Sequence, residues 1–184
     1  MGRPARIDRA AILDAAFELA DREGLDAVSM HAVARRLNVT PMALYRHLDG
    51  KEALLDGLVE RLLTEFRAPR AGHDGEQWLT AMAGGIRAVA RRHPAVFPLL
   101  LTRPAVTPAA RGVRDAVVAA LQDAGLTEAA ARRAERLVSS AVLGFAASEA
   151  AGRFRQHEQA VVDEDFAELL RWLRLALTGP HHQE

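Results

Sequence analysis

The chain reads as an all-α protein, with a three-helix unit at its N-terminus and a larger helical part after it. Apolar residues return every three or four positions from Ile12 to Leu177. No segment alternates with period two over a useful length, so no sheet is expected. Capping residues and Gly or Pro stops cut this periodic chain into helical lengths. With 184 residues, 49% of them hydrophobic, it can bury a real core.

Residues 1–7 read as an arm that carries Arg3 and Arg6. The first helix starts at the Asp8 cap, with Ile7 and Ile12 spaced as a hydrophobic staple. Ile12, Ala15, Ala16, Leu19 and Ala20 form its apolar stripe, and Gly24 ends it as a left-handed cap. Ser29 caps a second helix, because its hydroxyl can accept a free N–H of the first turn. This helix runs to about Leu37. Asn38 then falls where the chain must turn left-handed, which Asn tolerates better than most residues other than Gly. Thr40 caps a third helix, and Pro41 takes its first position, where a missing N–H costs nothing. Asp49 and Glu52 have the spacing of a capping box for a fourth.

Two helices joined by roughly three residues form a helix-turn-helix. Val33, Ala34, Leu37, Val39, Leu44 and Leu48 are expected to face inward. Thr40, Met42, Ala43, Tyr45, Arg46 and His47 then lie on or near the outer face of its second helix. Such a helix can enter a major groove with its N-terminal residues on base edges.

Lys51 to about Phe66 repeats Leu54, Leu55, Leu58, Val59, Leu62 and Leu63, a stripe too wide for a three-helix unit alone. One side should pack on that unit and the other on the helices of the larger part. Ala68–Gly75 reads as a loop. Glu76–Arg92 is helical and stopped by Pro94; a short apolar piece reaches Leu101, and a Pro-rich turn leads on to Pro108. Pro108–Ala124 is a helix ended by Gly125, and Thr127 caps a long one to about Ala151. After a polar loop over Gly152–Val162, Asp163 caps a last helix, closed by Gly179-Pro180.

From Val28 to Leu54 the chain reads VSMHAVARRLNVTPMALYRHLDGKEAL. This stretch resembles the DNA-binding domain of the tetracycline-repressor (TetR) family of bacterial transcription regulators. Ser29, Val33-Ala34, Val39-Thr40, Leu44-Tyr45, His47, Lys51 and Leu54 match the family in type and spacing. Asn38 stands where the family usually has Gly, Leu48 where it often has Phe, and Gly50 where Ser or Asn is common.

The resemblance implies a DNA-binding domain over 1–50, a connecting helix over 51–66, and a C-terminal ligand-binding and dimerisation domain over 67–184. It implies a homodimeric, ligand-responsive repressor on a palindromic operator of double-stranded DNA, with a small-molecule effector and no cofactor. Tyr45 and Lys51 would contact phosphates. Thr40, Met42, Ala43 and Arg46, with His31 on the supporting helix, would face base edges, and Arg46 stands equally for a phosphate. Ser29 and His47 complete this set. Arg3 and Arg6 either reach the DNA or belong to a loose tail. Trp78, Met82, Phe97, Leu101, Leu121 and Phe145 either line the effector cavity or fill a core. Leu137, Ala141, Gly144 and Ser148 on the long helix, with Phe166, Leu170, Leu173 and Leu177 on the last, would pair two protomers as a four-helix bundle; intramolecular packing is the alternative.

Net charge is zero, with 24 basic and 24 acidic residues, so only the distribution of charge speaks to nucleic acid. Arg35, Arg36, Arg46 and Lys51, the single lysine, gather on the motif, while Asp14, Glu18, Asp21, Glu23 and Asp26 gather on the first helix and its end. There is no cysteine, which excludes disulfides and thiolate metal sites. No apolar run approaches the ~18 residues of a membrane span and no signal peptide is visible, so a cytoplasmic protein is expected. No catalytic motif or metal-ligand spacing stands out. His93 reads as a helix C-terminal cap rather than a metal ligand. Two rival readings are a regulator controlled by a partner protein and an all-α enzyme.

Overall fold

A computed structural model describes residues 7–66, 75–103 and 107–178. Among them are nine α-helices, one 3-10 turn and no strand. The helices are α1 (Arg9–Glu23), α2 (Met30–Arg36), α3 (Pro41–Tyr45), α4 (Gly50–Glu65), α5 (Gly75–Arg92), α6 (Leu99–Thr102), α7 (Pro108–Asp123), α8 (Glu128–Ala150) and α9 (Gln159–Thr178). The expected arm with Arg3 and Arg6, most of the 68–75 loop and the Gly179-Pro180 stop lie outside the described residues.

The helix ends obey local chemistry. Asp8 and Ser29 accept from the N–H groups of Ala11 and Ala32 at 2.9 and 3.1 Å, and Thr107 and Thr127 do the same for α7 and α8. Asn38 adopts φ 54°. Its N–H donates to Arg35 O and that of Val39 to Ala34 O, which closes α2 as a Schellman motif. Gly125 and Gly152 close α7 and α8 in the same way.

Four expected local features differ. Thr40 precedes α3 in extended backbone, but its side chain makes no capping bond. Gly24 has positive φ (87°) with ψ at 163°, so it ends α1 in an extended glycine conformation that leads into the Leu25–Ala27 3-10 turn. The Asp49–Glu52 capping box does not form; Glu52 instead reaches Arg103, 2.9 Å away. The chain enters α4 through Gly50 at φ 83°, which suits Gly and strains other residues. Finally, α9 starts at Gln159 rather than at an Asp163 cap, because Asp163 bonds Arg87 and Arg91 from within the helix.

Packing centres on α4. Leu54, Leu58 and Leu62 are fully buried, and α4 packs on α1 to one side and on α6 and α7 to the other. A Cβ at Gly57 would lie 2.3 Å from Leu13 Cδ2, so glycine lets α1 and α4 approach closely there. One buried cluster runs continuously from Ile12 in α1 to Ala147 in α8. A smaller one holds Ala83, Val138, Val142, Phe166 and Leu170 under α9.

Candidate nucleic-acid interface and internal cavity

The helix-turn-helix is built from its apolar side outward. Val33, Ala34, Leu44 and Leu48 are buried, and Leu37 and Val39 pack half-buried against the same core. This seats α3 and turns the rest of it to solvent. Met42 is 73% exposed and Tyr45 47%. Thr40, Arg46 and His47 are exposed, Ala43 is half-buried, and His31 and Lys51 stand exposed on α2 and the first turn of α4. Large apolar exposure at Met42 has no use within the fold.

Charge pairing separates the cations of this region. Arg36 is tied to Glu18 at 2.5 Å. No ion pair among the described residues engages Arg35, Arg46 or Lys51. The exposed Thr40 side chain makes no capping bond. Ser29 spends its acceptor on Ala32 but retains its own proton to donate. Arg35 joins the free cations although sequence spacing did not separate it from Arg36; both lie in the last turn of α2.

A cavity of about 620 Å³ opens between α4, α5, α6, α7 and α8. Leu62, Phe66, Val89, Phe97 and Val117 form its apolar walls. Of the six residues expected there, Phe97 and Leu101 line it. Trp78, Met82 and Leu121 fill the main core instead. Phe145 packs against Phe154 and Phe166, each ring centre 5.2 Å away. Their apolar character was legible, but which core they enter depends on helix rotation.

The opposite wall is polar: Glu135, Arg136, Ser139 and Ser140 of α8, with Arg114 of α7 and Arg103. Arg103 is held by Asp56 and Glu52 of α4 at 2.7 and 2.9 Å; its hydrogen bond to Asp56 is the main cause that raises its pKa above the ordinary value. Glu135 is buried in the inward stripe of Ala131, Ala134 and Val138. A charged residue on an apolar stripe is a signal that the sequence carries openly, yet Glu135 was not among the expected cavity residues.

The expected dimer stripe divides. Phe166 and Leu170 point inward, and Leu173 and Leu177 pack half-buried on the same small core, because α9 buries that face on α5 and α8 of its own chain. Leu137 is 64% exposed, and Ala141, Gly144 and Ser148 are half-buried on the outer side of α8. Trp172 of α9 is 63% exposed.

Two polar clusters lock the helices. Arg87 reaches Glu149 with two bonds of 2.6 and 2.8 Å and lies 4.5 Å from the Phe166 ring. Burial works against ionising Glu149, but bonds from Arg87, Arg91 and Gln159 overcome it and hold its pKa at about 2. His93 follows the last residue of α5, where its N–H donates to Val89 O at 3.0 Å, and its ring joins Asp21 and Glu65. No group of three or more metal-ligating side chains occurs among the described residues, and no helix there is long and apolar enough to cross a membrane.

Residues 12–58 match the family described as bacterial regulatory proteins, tetR family. Residues 79–173 match the tetracyclin repressor-like C-terminal domain. The chain is 32% identical over 158 residues to the HTH-type transcriptional repressor DrrR1 of Streptomyces coeruleorubidus, covering 84% of this chain and 58% of that one. It is 33% identical over 161 residues to an HTH-type transcriptional regulator of Saccharopolyspora erythraea, covering 87% of this chain and 67% of that one. The structure of a TetR variant from Acinetobacter baumannii AYE in complex with minocycline aligns with a TM-score of 0.78 at 26% identity, over 95% of this chain and all of that one.

Proposed function

The chain belongs to the tetR family of bacterial regulatory proteins and is a transcriptional regulator of that type, and from that premise we propose a homodimeric repressor released from its operator by a small molecule. The observation that carries the reading is the outer face of α3. It presents Met42, Tyr45 and Arg46 to solvent, and neither Arg46 nor the neighbouring Lys51 has an ion pair among the described residues. Apolar Met42 suits a thymine methyl, Arg46 a guanine edge or a phosphate, and Tyr45 and Lys51 suit phosphates.

We assign residues 1–50 to DNA binding, 51–66 to the connecting helix and 67–184 to effector binding and dimerisation. One short recognition helix reads too few base pairs to select a genomic site. Two of them, set about one helical turn or ~34–36 Å apart, require an inverted repeat. The exposed faces around Leu137 and Trp172 offer surface for the pairing.

The repressor named DrrR1 and the minocycline complex of a TetR variant supply the analogy for repression and for a small ligand. A cavity of about 620 Å³ falls within the ~300–1,000 Å³ usual for small-molecule sites, which favours a ligand over a controlling partner protein. Leu62 and Phe66 of α4 line it while the other side of α4 packs on α1. A ligand that fits one setting of α4 better than another would shift the two DNA-binding units apart, by no more than its differential affinity allows.

Selection from random duplexes, with salt titration of the enriched site, tests the reading. An inverted repeat bound with a steep negative salt dependence is expected. Failure to enrich any sequence would overturn it.

A further inference from the structure

Glu135 is the one acid on the cavity wall among the described residues, and it is only 8% exposed. The Ser139 hydroxyl donates to its Oε1 at 3.0 Å. A carboxylate has room for about four hydrogen bonds, so one neutral donor leaves most of that capacity unused. The cations nearby are committed or wet. Arg103 is held by Asp56 and Glu52, and Arg132 by Glu128. Arg114 and Arg136, which also line the cavity, are exposed, so water screens them. No ion pair engages Glu135 among the described residues, and a buried acid facing an apolar space is poorly placed without a cation.

We propose that the effector is an apolar molecule bearing a protonated amine, and that Glu135 is the residue that pairs with it. The ammonium would donate to the Glu135 carboxylate beside Ser139. The apolar body would lie between Leu62, Phe66, Val89, Phe97 and Val117. The buried acid outweighs the two exposed arginines, because a charge interaction strengthens as its surroundings exclude water. This rests on the reading of the cavity as an effector site.

Calorimetric titration of the full chain with three matched probes tests it: biphenyl-4-ylmethylamine, biphenyl-4-ylmethanol and biphenyl-4-carboxylate. The amine should bind about tenfold or more tighter than the alcohol, the scale of one charge-assisted bond. Glu135→Gln should bring the amine to the level of the alcohol and leave the alcohol unchanged. If that variant does not fold, the order of the three probes on the unaltered chain decides alone. Equal affinities of amine and alcohol would overturn the amine assignment and leave the cavity reading standing. So would a carboxylate that binds tightest and weakens in Arg114→Ala or Arg136→Ala. Binding by none of the three at millimolar concentration would overturn the effector-site reading itself.

Discussion

His93 Nδ1 lies 2.8 Å from Oδ2 of Asp21, and this contact joins the end of α5 to α1 of the helix-turn-helix unit. The other ring nitrogen lies 2.9 Å from Glu65 of α4, and the ring meets Phe17 edge-on. Three helices from both parts of the chain therefore meet at one imidazole. His93→Ala removes the bridge and leaves two carboxylates facing a gap. A loss of about 1–3 kcal/mol of stability is expected, read by urea denaturation. An unchanged midpoint would show the contact to be idle.

Lys51 stands exposed at the start of α4 without an ion pair among the described residues. Its expected partner is a DNA phosphate, which positions without reading sequence. Lys51→Ala should weaken binding to every duplex alike and flatten the log–log salt slope by roughly one unit. Fluorescence anisotropy across a salt series gives the slope, and an unchanged value would remove Lys51 from the interface.

Glu149 responds to pH in one direction. Its pKa falls from 4.5 to about 2 because Arg87, Arg91 and Gln159 outweigh the burial that opposes its ionisation. A group depressed in the folded state stabilises fully above its unfolded value. That stabilisation fades as pH falls from about 4.5 toward 2. Glu149→Gln should be less stable at neutral pH by about 2–3 kcal/mol, since Arg87 and Arg91 lose their shared, largely buried carboxylate and keep only the exposed one of Asp163. It should also lose less stability than the parent chain on acidification over that window. Parallel acid titrations monitored by circular dichroism compare them; identical acid slopes would refute the assignment.

Trp172 projects from the outer side of α9, away from the small core that holds Phe166 and Leu170. Trp172→Glu should therefore give a folded monomer, whereas a charge at half-buried Leu173 disturbs the protomer as well. Sedimentation of the variant at micromolar concentration is the check. A dimer as stable as the parent's would place the pairing surface elsewhere.

The sequence determined what depends on neighbours a few residues away. Asp8, Ser29, Thr107 and Thr127 each find their N–H three residues on, and Asn38 turns left-handed where the spacing asked for it. The buried side of the helix-turn-helix arises from a 3.6-residue period, and its outer side is what remains. Among the exceptions, the Thr40 side chain makes no capping bond, and the acid Glu52 pairs with Arg103, 51 positions away, instead of closing a capping box.

Tertiary structure decided everything that turns on such distant partners. Arg35 and Arg36 are alike in sequence, but only Arg36 meets Glu18 across the gap to α1. Asp163 looked like a cap until Arg87 and Arg91 engaged it from α5. Trp78 and Met82 of α5 and Phe97 in the turn beyond it are all buried apolar residues, yet of the three only Phe97 borders the cavity. A helical period says that a face is apolar; which wall, core or partner that face meets is set by helix rotation and crossing, summed over contacts far apart in the chain.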